Sequence, residues 1–217
     1  MKPHPVFAFL YDRLARAAEP WEGQFREELC GPAAGMVLEI GAGTAANLRH
    51  YRFAARLVAA EPEPNMRRRA RARLSEARVP VALVAAEAER LPFADRTFDT
   101  VVFSLTLCSV QDLRRAISEC ARVLCPGGSL RFYEHVRSDR AGIARWQDRM
   151  EGPWGFFAGG CHPNRDTPGA LAAHGFEVRL RRFQPPVPGG SLMPHVIGEA
   201  RLPAPHALDA SPGRSQP

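Results

Sequence analysis

The sequence predicts an α/β fold built on a doubly wound, seven-stranded, mostly parallel sheet with an antiparallel C-terminal strand. Three observations predict it. Five strand-like runs are interleaved with helical stretches between Met36 and Val136, the rhythm of a parallel sheet with helices on both faces. Those runs are almost continuously apolar, as strands buried on both sides are. Two further runs, FEVRLRRF and HVIGEARL, follow each other with no helical pattern between them and read as an antiparallel pair at the sheet edge.

The elements follow in order. Phe7, Leu10, Leu14, Ala17 and Trp21 recur at steps of three and four, one stripe of an amphipathic helix, or of two helices broken at Pro20, capping the first strand. MVLEI is that strand, and it turns through glycines into a helix expected from about Ala45. RLVAAE leads to an arginine-rich helix, VALVAA and FDTVVFSL are the third and fourth strands, and QDLRRAISECARVL is the helix before the fifth, SLRFYEHV. The rhythm then fails across a Trp-, Gly- and Pro-rich segment from Trp146 to Arg165. TPGALAAHG restores a helix, with Thr167 as N-cap, Pro168 as first helical residue and Gly175 as stop. The expected plan is N-terminal cap helices over 1–30, one α/β domain over 31–202 with an insert at about 140–166, and a disordered tail over 203–217.

Composition narrows the function classes. At 217 residues with 45% hydrophobic and 24% charged residues, the chain is large enough to bury one core without staples. Its five cysteines, Cys30, Cys108, Cys120, Cys125 and Cys161, are odd in number and show no C-x-x-C pair, which argues against a disulfide framework or a zinc ribbon and for a reducing cytoplasm. No metal site is expected: Cys161 and His162 are a single adjacent pair, and Cys120 and Cys125 read as core filler. No run reaches the roughly 18 apolar residues of a membrane span, and the start is too short for a signal peptide. Lys2 is the only lysine, so 28 of the 29 basic residues behind the net charge of +6 are arginine. The densest run, MRRRARAR from Met66, reads as a solvated helix face rather than a nucleic-acid patch, because no aromatics are interleaved with it.

The strongest chemical signal is Leu38-Glu39-Ile40-Gly41-Ala42-Gly43-Thr44, a strand entering a glycine turn where backbone can approach a ligand closely. Gly41, Gly43 and Ala46 fit G-x-G-x-x-A, and Glu61 lies 18 residues beyond Gly43, where an acid binds ribose hydroxyls. A nicotinamide dinucleotide and S-adenosylmethionine both need those features. Glu39, just before the turn, would repel a pyrophosphate but attract ammonium and sulfonium charge. The segment Glu87-Ala88-Glu89-Arg90-Leu91-Pro92-Phe93 follows the third strand, so its carboxylates lie at the carboxyl edge, where an adenine amino group can donate to one of them. An antiparallel ending is also foreign to a dinucleotide fold.

With these segments in their family order, the chain from about Val37 to Leu202 resembles the class I, Rossmann-like S-adenosylmethionine-dependent methyltransferases of the type 11 group. VLEIGAGTAANL looks like the cofactor glycine loop, VAAEPEPNM the ribose-acid strand end, AEAERLPFADRTFDTVVFSLTLCSV the adenine loop and fourth strand, and RVLCPGGSLRFYEHV the helix, turn and fifth strand. The resemblance implies that Gly41, Gly43 and Asn47 surround the methionine moiety, Glu61 the ribose, Met66 and Ala88 the adenine ring and Glu87 its amine, with Ser104 and Leu105 bordering the transferable methyl. Glu39, Ala42, Thr44, Pro62 and Glu89, in the same segments, complete the expected cofactor set. A closer resemblance, to methyltransferase-like thiol S-methyltransferases, rests on Leu107–Gln111, Glu134–Val136, the W-x(n)-GC insert Trp154–Cys161 and the PHxxG run Pro194–Gly198. Those relatives begin with a hydrophobic anchor and this chain starts with a short amphipathic stretch, so stable membrane insertion is not carried over.

His135, Glu134 and Cys108 are the candidate catalytic residues: the first two end a strand at the sheet's carboxyl edge, and Cys108 is near the expected methyl-transfer point. Tyr11 closes over the cofactor or lies on the surface. The function expected is methyl transfer to a small molecule, a thiol in its sharpest form, with no nucleic-acid partner; the alternatives are a nicotinamide-dependent oxidoreductase and a nucleic-acid-binding modifier. Oligomeric state has no signature in the sequence.

Overall fold

A computed structural model describes residues 5–187 and 189–203, apart from the side chains of Val6 and Phe7, so the tail expected from 203 onward lies almost wholly outside the described residues. Among the described residues the order is α1 (Pro5–Cys30), β1 (Ala34–Ile40), β2 (Phe53–Ala60), α2 (Pro64–Ala72), β3 (Val81–Val84), β4 (Phe98–Ser104), α3 (Leu113–Val123), β5 (Leu124–His135), α4 (Ala141–Phe157), α5 (Thr167–Ala173), β6 (Glu177–Phe183) and β7 (His195–Arg201). One seven-stranded sheet runs β3-β2-β1-β4-β5-β7-β6. β7 is antiparallel to both its neighbours, while the pairs from β3 to β5 are parallel.

The register aligns the carboxyl ends: Ile40 pairs with Ala60 and with Phe103, Ala60 with Val84, and Phe103 with Phe132. The residues just beyond this layer therefore share one edge of the sheet. Two apolar clusters cover its faces. One joins Leu38, Ile40, Val101 and Phe132 to Ile117 of α3 and Leu171 of α5; the other joins Val37, Leu57, Val102 and Tyr133 to Phe25 and Leu29 of α1 and Ala70 of α2. Doubly wound packing of this kind needs strands apolar on both sides, as these are.

Several elements depart from expectation. No α-helix follows the glycine turn at Ala45: residues 43–47 form turns that lead into one 3-10 turn, Leu48–His50, because Gly43 and Ala45 take positive φ of 57° and 61° and cannot continue a right-handed helix. The N-terminal segment is one helix through Pro20, and of the expected stripe Trp21 packs on the core while the Phe7 side chain lies outside the described residues. Leu10 and Leu14 are exposed and so is Ala17, whereas Ala8, Asp12, Ala15, Glu22, Phe25 and Arg26 are buried. Ion pairing decides this: buried Asp12 receives Arg73 at 2.8 Å, and Arg26 pairs with Glu22. The arginine-rich helix is for the same reason not a wholly solvated face. Arg73 is buried against α1, and Arg67 donates to the carbonyls of Glu61 and Pro62 at 2.7 and 2.6 Å. The N-cap before α5 is Asp166, which accepts from Gly169 N–H at 3.0 Å, and Thr167 is already helical. Cys120 is core, as expected, but Cys125 is half-buried and donates to the Arg96 carbonyl. The insert forms α4, which carries Pro153 inside it.

Asp12→Ala leaves Arg73 as a buried charge without its partner. Removing one half of such a pair costs about 3 kcal/mol, and urea unfolding followed in parallel with limited proteolysis of α1 should show both that loss and earlier cleavage of the helix.

Candidate active site

Three acidic residues stand at the carboxyl ends of three adjacent strands: Glu39 near the end of β1, Glu61 just after β2 and Glu87 in the loop after β3. Glu39 is buried, its Oε1 accepts from Asn47 Nδ2 at 2.7 Å, and the buried Tyr51 phenol stands beside the same carboxyl. Burial pushes its carboxyl up to about 7, against the lowering effect of Asn47. Asn47 Oδ1 in turn accepts from Arg26 Nη1 at 2.9 Å, so α1 reaches the floor of the site. Glu61 accepts from Gly43 N–H and Glu63 N–H, both at 2.8 Å, and burial raises its carboxyl despite those bonds. Each of its oxygens keeps a second acceptor position.

The glycine loop is fitted to its surroundings. Gly41 and Ala42 donate to the Ala60 carbonyl, and at φ 72° a side chain on Gly41 would collide with Thr106. Gly43 is open except toward Tyr11, whose ring edge lies 3.7 Å from where a β-carbon would stand. Tyr11 thus covers the loop, and burial pushes its phenol up to about 12. Thr44 is buried, with a hydroxyl that has no partner among the described residues. Beside Glu61 opens a cleft of about 490 Å³ lined by Pro62, Ala86, Glu87, Arg90 and Leu91. Ala88 and Met66 are buried close by in sequence, the latter at the start of α2, where its N–H is capped by Glu63. Glu89 points elsewhere: its carboxylate accepts from the Gln111 and Asp112 N–H groups ahead of α3, at 2.8 and 3.2 Å.

Across β4 the character changes. Glu134 is wholly buried, and its carboxylate accepts three backbone N–H groups, from Thr106 and Leu107 at 2.9 Å and from Cys108 at 3.0 Å. Burial raises its pKa and these donors oppose the rise. The loop so clamped leaves β4 through Ser104 and through Leu105 at φ 54°. Its carbonyls are tied down as well, Leu107 by Arg165 Nη1 and Cys108 by His162 N–H, both at 2.7 Å. Cys108 Sγ lies 3.7 Å from His135 Nδ1, and Cys161, from the turn after α4, lies 3.3 Å from the same nitrogen. Hydrogen bonding from Cys108 and then His135 holds the Cys161 thiol low against burial, while that same bond and burial hold Cys108 high. For His135, burial is outweighed by Cys161 and Glu134, which lift it above an ordinary imidazole. His195 pairs with His135 in the register, its ring edge-to-face at 4.5 Å; burial and the neighbouring His135 bring it down to about 3.

Sequence reasoning singled out most of these positions but missed Arg26, Thr106, Arg165 and His195 as parts of the site and set Cys161 aside as packing. Arg26 has no local signal beyond Glu22 four residues earlier. Cys161 and His195 did carry one, as members of the W-x(n)-GC and PHxxG segments.

An acid-tipped half sheet feeding a glycine loop is the cofactor edge of a class I methyltransferase fold. A methyltransferase-domain family profile matches residues 38–132. The chain is 35% identical over 169 residues to the rat (Rattus norvegicus) thiol S-methyltransferase TMT1B, covering 76% of this chain and 69% of that protein. It is 32% identical over 180 residues to human (Homo sapiens) thiol S-methyltransferase TMT1A, covering 80% and 74%. An S-adenosylmethionine-dependent methyltransferase of Mesorhizobium loti shares the fold at a TM-score of 0.60 and 19% identity, over 83% of this chain and 97% of that one. The chain belongs to the methyltransferase family that includes these thiol S-methyltransferases. It is an S-adenosylmethionine-dependent methyltransferase of small molecules, and the nicotinamide and nucleic-acid alternatives fall away. No helix among the described residues is long and apolar enough to cross a membrane.

Two outcomes follow from this geometry. Gly41→Ala meets both a positive φ and Thr106, and should lose about 1–3 kcal/mol of stability in thermal or urea unfolding. Glu39, held near 7 in the fold against an ordinary 4.5, favours the folded state only while protonated, so its contribution fades as pH rises through that interval. Relative to wild type, Glu39→Gln should therefore gain on the order of 3 kcal/mol between pH 4 and pH 7.5, read from paired urea titrations across pH.

Proposed function

We propose that the chain methylates a small thiol at the edge where β4, β5 and β7 end, with its cofactor held over β1, β2 and β3. The observation that carries this is a convergence. Cys108, His135, Cys161 and His195 come from the four segments that resemble thiol S-methyltransferases, and they meet beside the loop that packs on Gly41.

The residues present fit the cofactor: the buried Glu39 carboxyl flanked by Asn47 and Tyr51, a Thr44 hydroxyl without a partner among the described residues and the open Gly43 face suit polar and cationic groups. Glu39 and Asn47 hold the amino-acid end, Glu61 accepts the ribose hydroxyls, and Pro62, Glu87, Ala88 and Met66 enclose the base. Gly41, Ala42 and Gly43 give the backbone approach, Ser104 and Leu105 border the reacting group, and Tyr11 covers it, which makes α1 part of the working unit of residues 31–202. Glu89 acts outside this set, as a brace for α3. S-adenosylmethionine supplies, when bound, a methyl group already activated on a sulfonium.

What the chain then has to do is align an acceptor and exclude water, which is sufficient for a good nucleophile. A thiol near pKa 8.5 is a few per cent thiolate at neutral pH, and a cationic imidazole beside it increases that share. His135, lifted above its ordinary value and set at the strand end, fills that role. Glu134 is a positioning residue: it makes no approach to an acceptor but fixes the loop that carries Cys108.

Transfer of labelled methyl to a panel of alkyl thiols, hydrogen sulfide, phenols and amines tests this reading. Label should pass to thiols, and His135→Ala should lower kcat/KM for them by about 100-fold with S-adenosylhomocysteine binding kept. Label on phenols or amines, with thiols left bare, overturns it.

A further inference from the structure

Three side chains distant in sequence bring soft donor atoms to one point: Cys108 Sγ, His135 Nδ1 and Cys161 Sγ all lie within 4.8 Å of one another. The separations of 3.3 and 3.7 Å from Nδ1 to the two sulfurs have a recognisable scale. A tetrahedral zinc ion with Zn–S near 2.3 Å and Zn–N near 2.0 Å has ligand-to-ligand edges of about 3.5–3.8 Å. The backbone around each donor is independently fixed. Cys108 is held through its N–H by Glu134 and through its carbonyl by His162, and His135 by its register opposite His195. Cys161 donates its N–H to the Ala158 carbonyl at 3.2 Å. The adjacent His162 is not part of the group, because its Nδ1 faces Glu151 at 2.8 Å.

We propose that Cys108, His135 and Cys161 are three ligands of a zinc site whose fourth tetrahedral position receives the sulfur of the acceptor. Two thiolates and an imidazole select a thiophilic divalent cation over magnesium or calcium, and the two thiolates cancel its charge in a buried place. Three protein ligands, rather than four, are the composition of sites that keep one position for water or substrate. The partners beyond the ligands suit it: the Trp154 indole N–H, buried without another partner, stands next to Cys161, and the His195 ring packs on His135. An incoming thiol binds as thiolate and its proton passes to solvent, and the ion supplies the positive charge that holds it. The three-ligand site stands on geometry alone, and only the occupant of the fourth position rests on the thiol reading above.

The test uses the full chain, purified reduced. Zinc content should reach one ion per chain, and cobalt(II) titration should give thiolate-to-cobalt charge-transfer absorption with the visible bands of tetrahedral cobalt. Cys108→Ser, Cys161→Ser and His135→Ala should each weaken zinc in competition with a chromogenic chelator by more than the 10–100-fold typical of an outer-shell change. Each should still bind S-adenosylhomocysteine within about twofold of wild type by calorimetry, which shows that it is folded. A small alkyl thiol should shift the cobalt bands, and its alcohol counterpart should not. No uptake by the reduced protein, or uptake equal in the three variants, overturns the site. Uptake with bands indifferent to thiols overturns the fourth-position assignment. Thiol methylation by a protein that binds no metal would remove the zinc and leave the acceptor reading standing; zinc binding without thiol methylation would do the reverse.

Discussion

The buried carboxylate of Glu134 is the constraint on which the site depends. A carboxylate removed from water is costly, by several kcal/mol even after relaxation, unless donors surround it. Here the donors are three consecutive backbone N–H groups of residues 106–108. The chain can present three successive amides to one point only by curling, which is why Leu105 takes a positive φ on the way out of β4. Hydrogen bonds to a charged group each contribute about 1.5–3 kcal/mol, so together they can offset the desolvation. The curl sets Thr106 against Gly41 and turns Cys108 toward His135, so one anion shapes both the cofactor loop and the acceptor side.

A second polar chain ties the cap helix to the same centre. Glu22 holds Arg26, Arg26 donates to Asn47, and Asn47 donates to Glu39, so docking of α1 and the ionisation of Glu39 are linked through buried contacts. Asp12 with Arg73 anchors the other half of the helix to the end of α2. Between these anchors Tyr11 lies over Gly43. The docked face combines these ion pairs with the apolar Ala8, Ala15, Phe25 and Leu29, and the exposed Leu10 and Leu14 contribute little to holding the helix.

The sheet was legible in the sequence because apolar runs such as VALVAA and FDTVVFSL have little alternative to double-sided burial, and each acidic tip followed from where its run stopped. The antiparallel ending was legible for want of a helical pattern before β7. Other features were not, for identifiable reasons. The glycine segment looked like a helix start because G-x-G-x-x-A says nothing about φ at Ala45, which turns left-handed. The stripe on α1 was misassigned because apolar periodicity cannot weigh a buried Asp12–Arg73 pair whose members are 61 residues apart. Glu89 is chemically identical to Glu87 and differs only in facing the start of α3. Cys161 looked like half of an isolated Cys-His pair because its partners, Cys108 and His135, are brought to it by the placement of α4, an insert whose pattern resembled no element.

The order β3-β2-β1-β4-β5-β7-β6 reverses between β1 and β4, and open α/β sheets take ligands at such a reversal. The chemistry divides at the same line. On one side stand the hard oxygen donors of Glu39, Glu61 and Glu87, suited to a cationic nucleoside; on the other stand the polarisable sulfur and imidazole atoms of Cys108, Cys161 and His135, suited to a soft nucleophile. On the reading proposed above, such a division would keep the two substrates from competing for one set of contacts. The loop from Ser104 to Cys108 borders both halves, and Glu134 holds it. On the reading proposed above, a shift in that loop would disturb donor and acceptor together, and Glu134 would act on the transfer through the backbone of residues 106–108 that it holds.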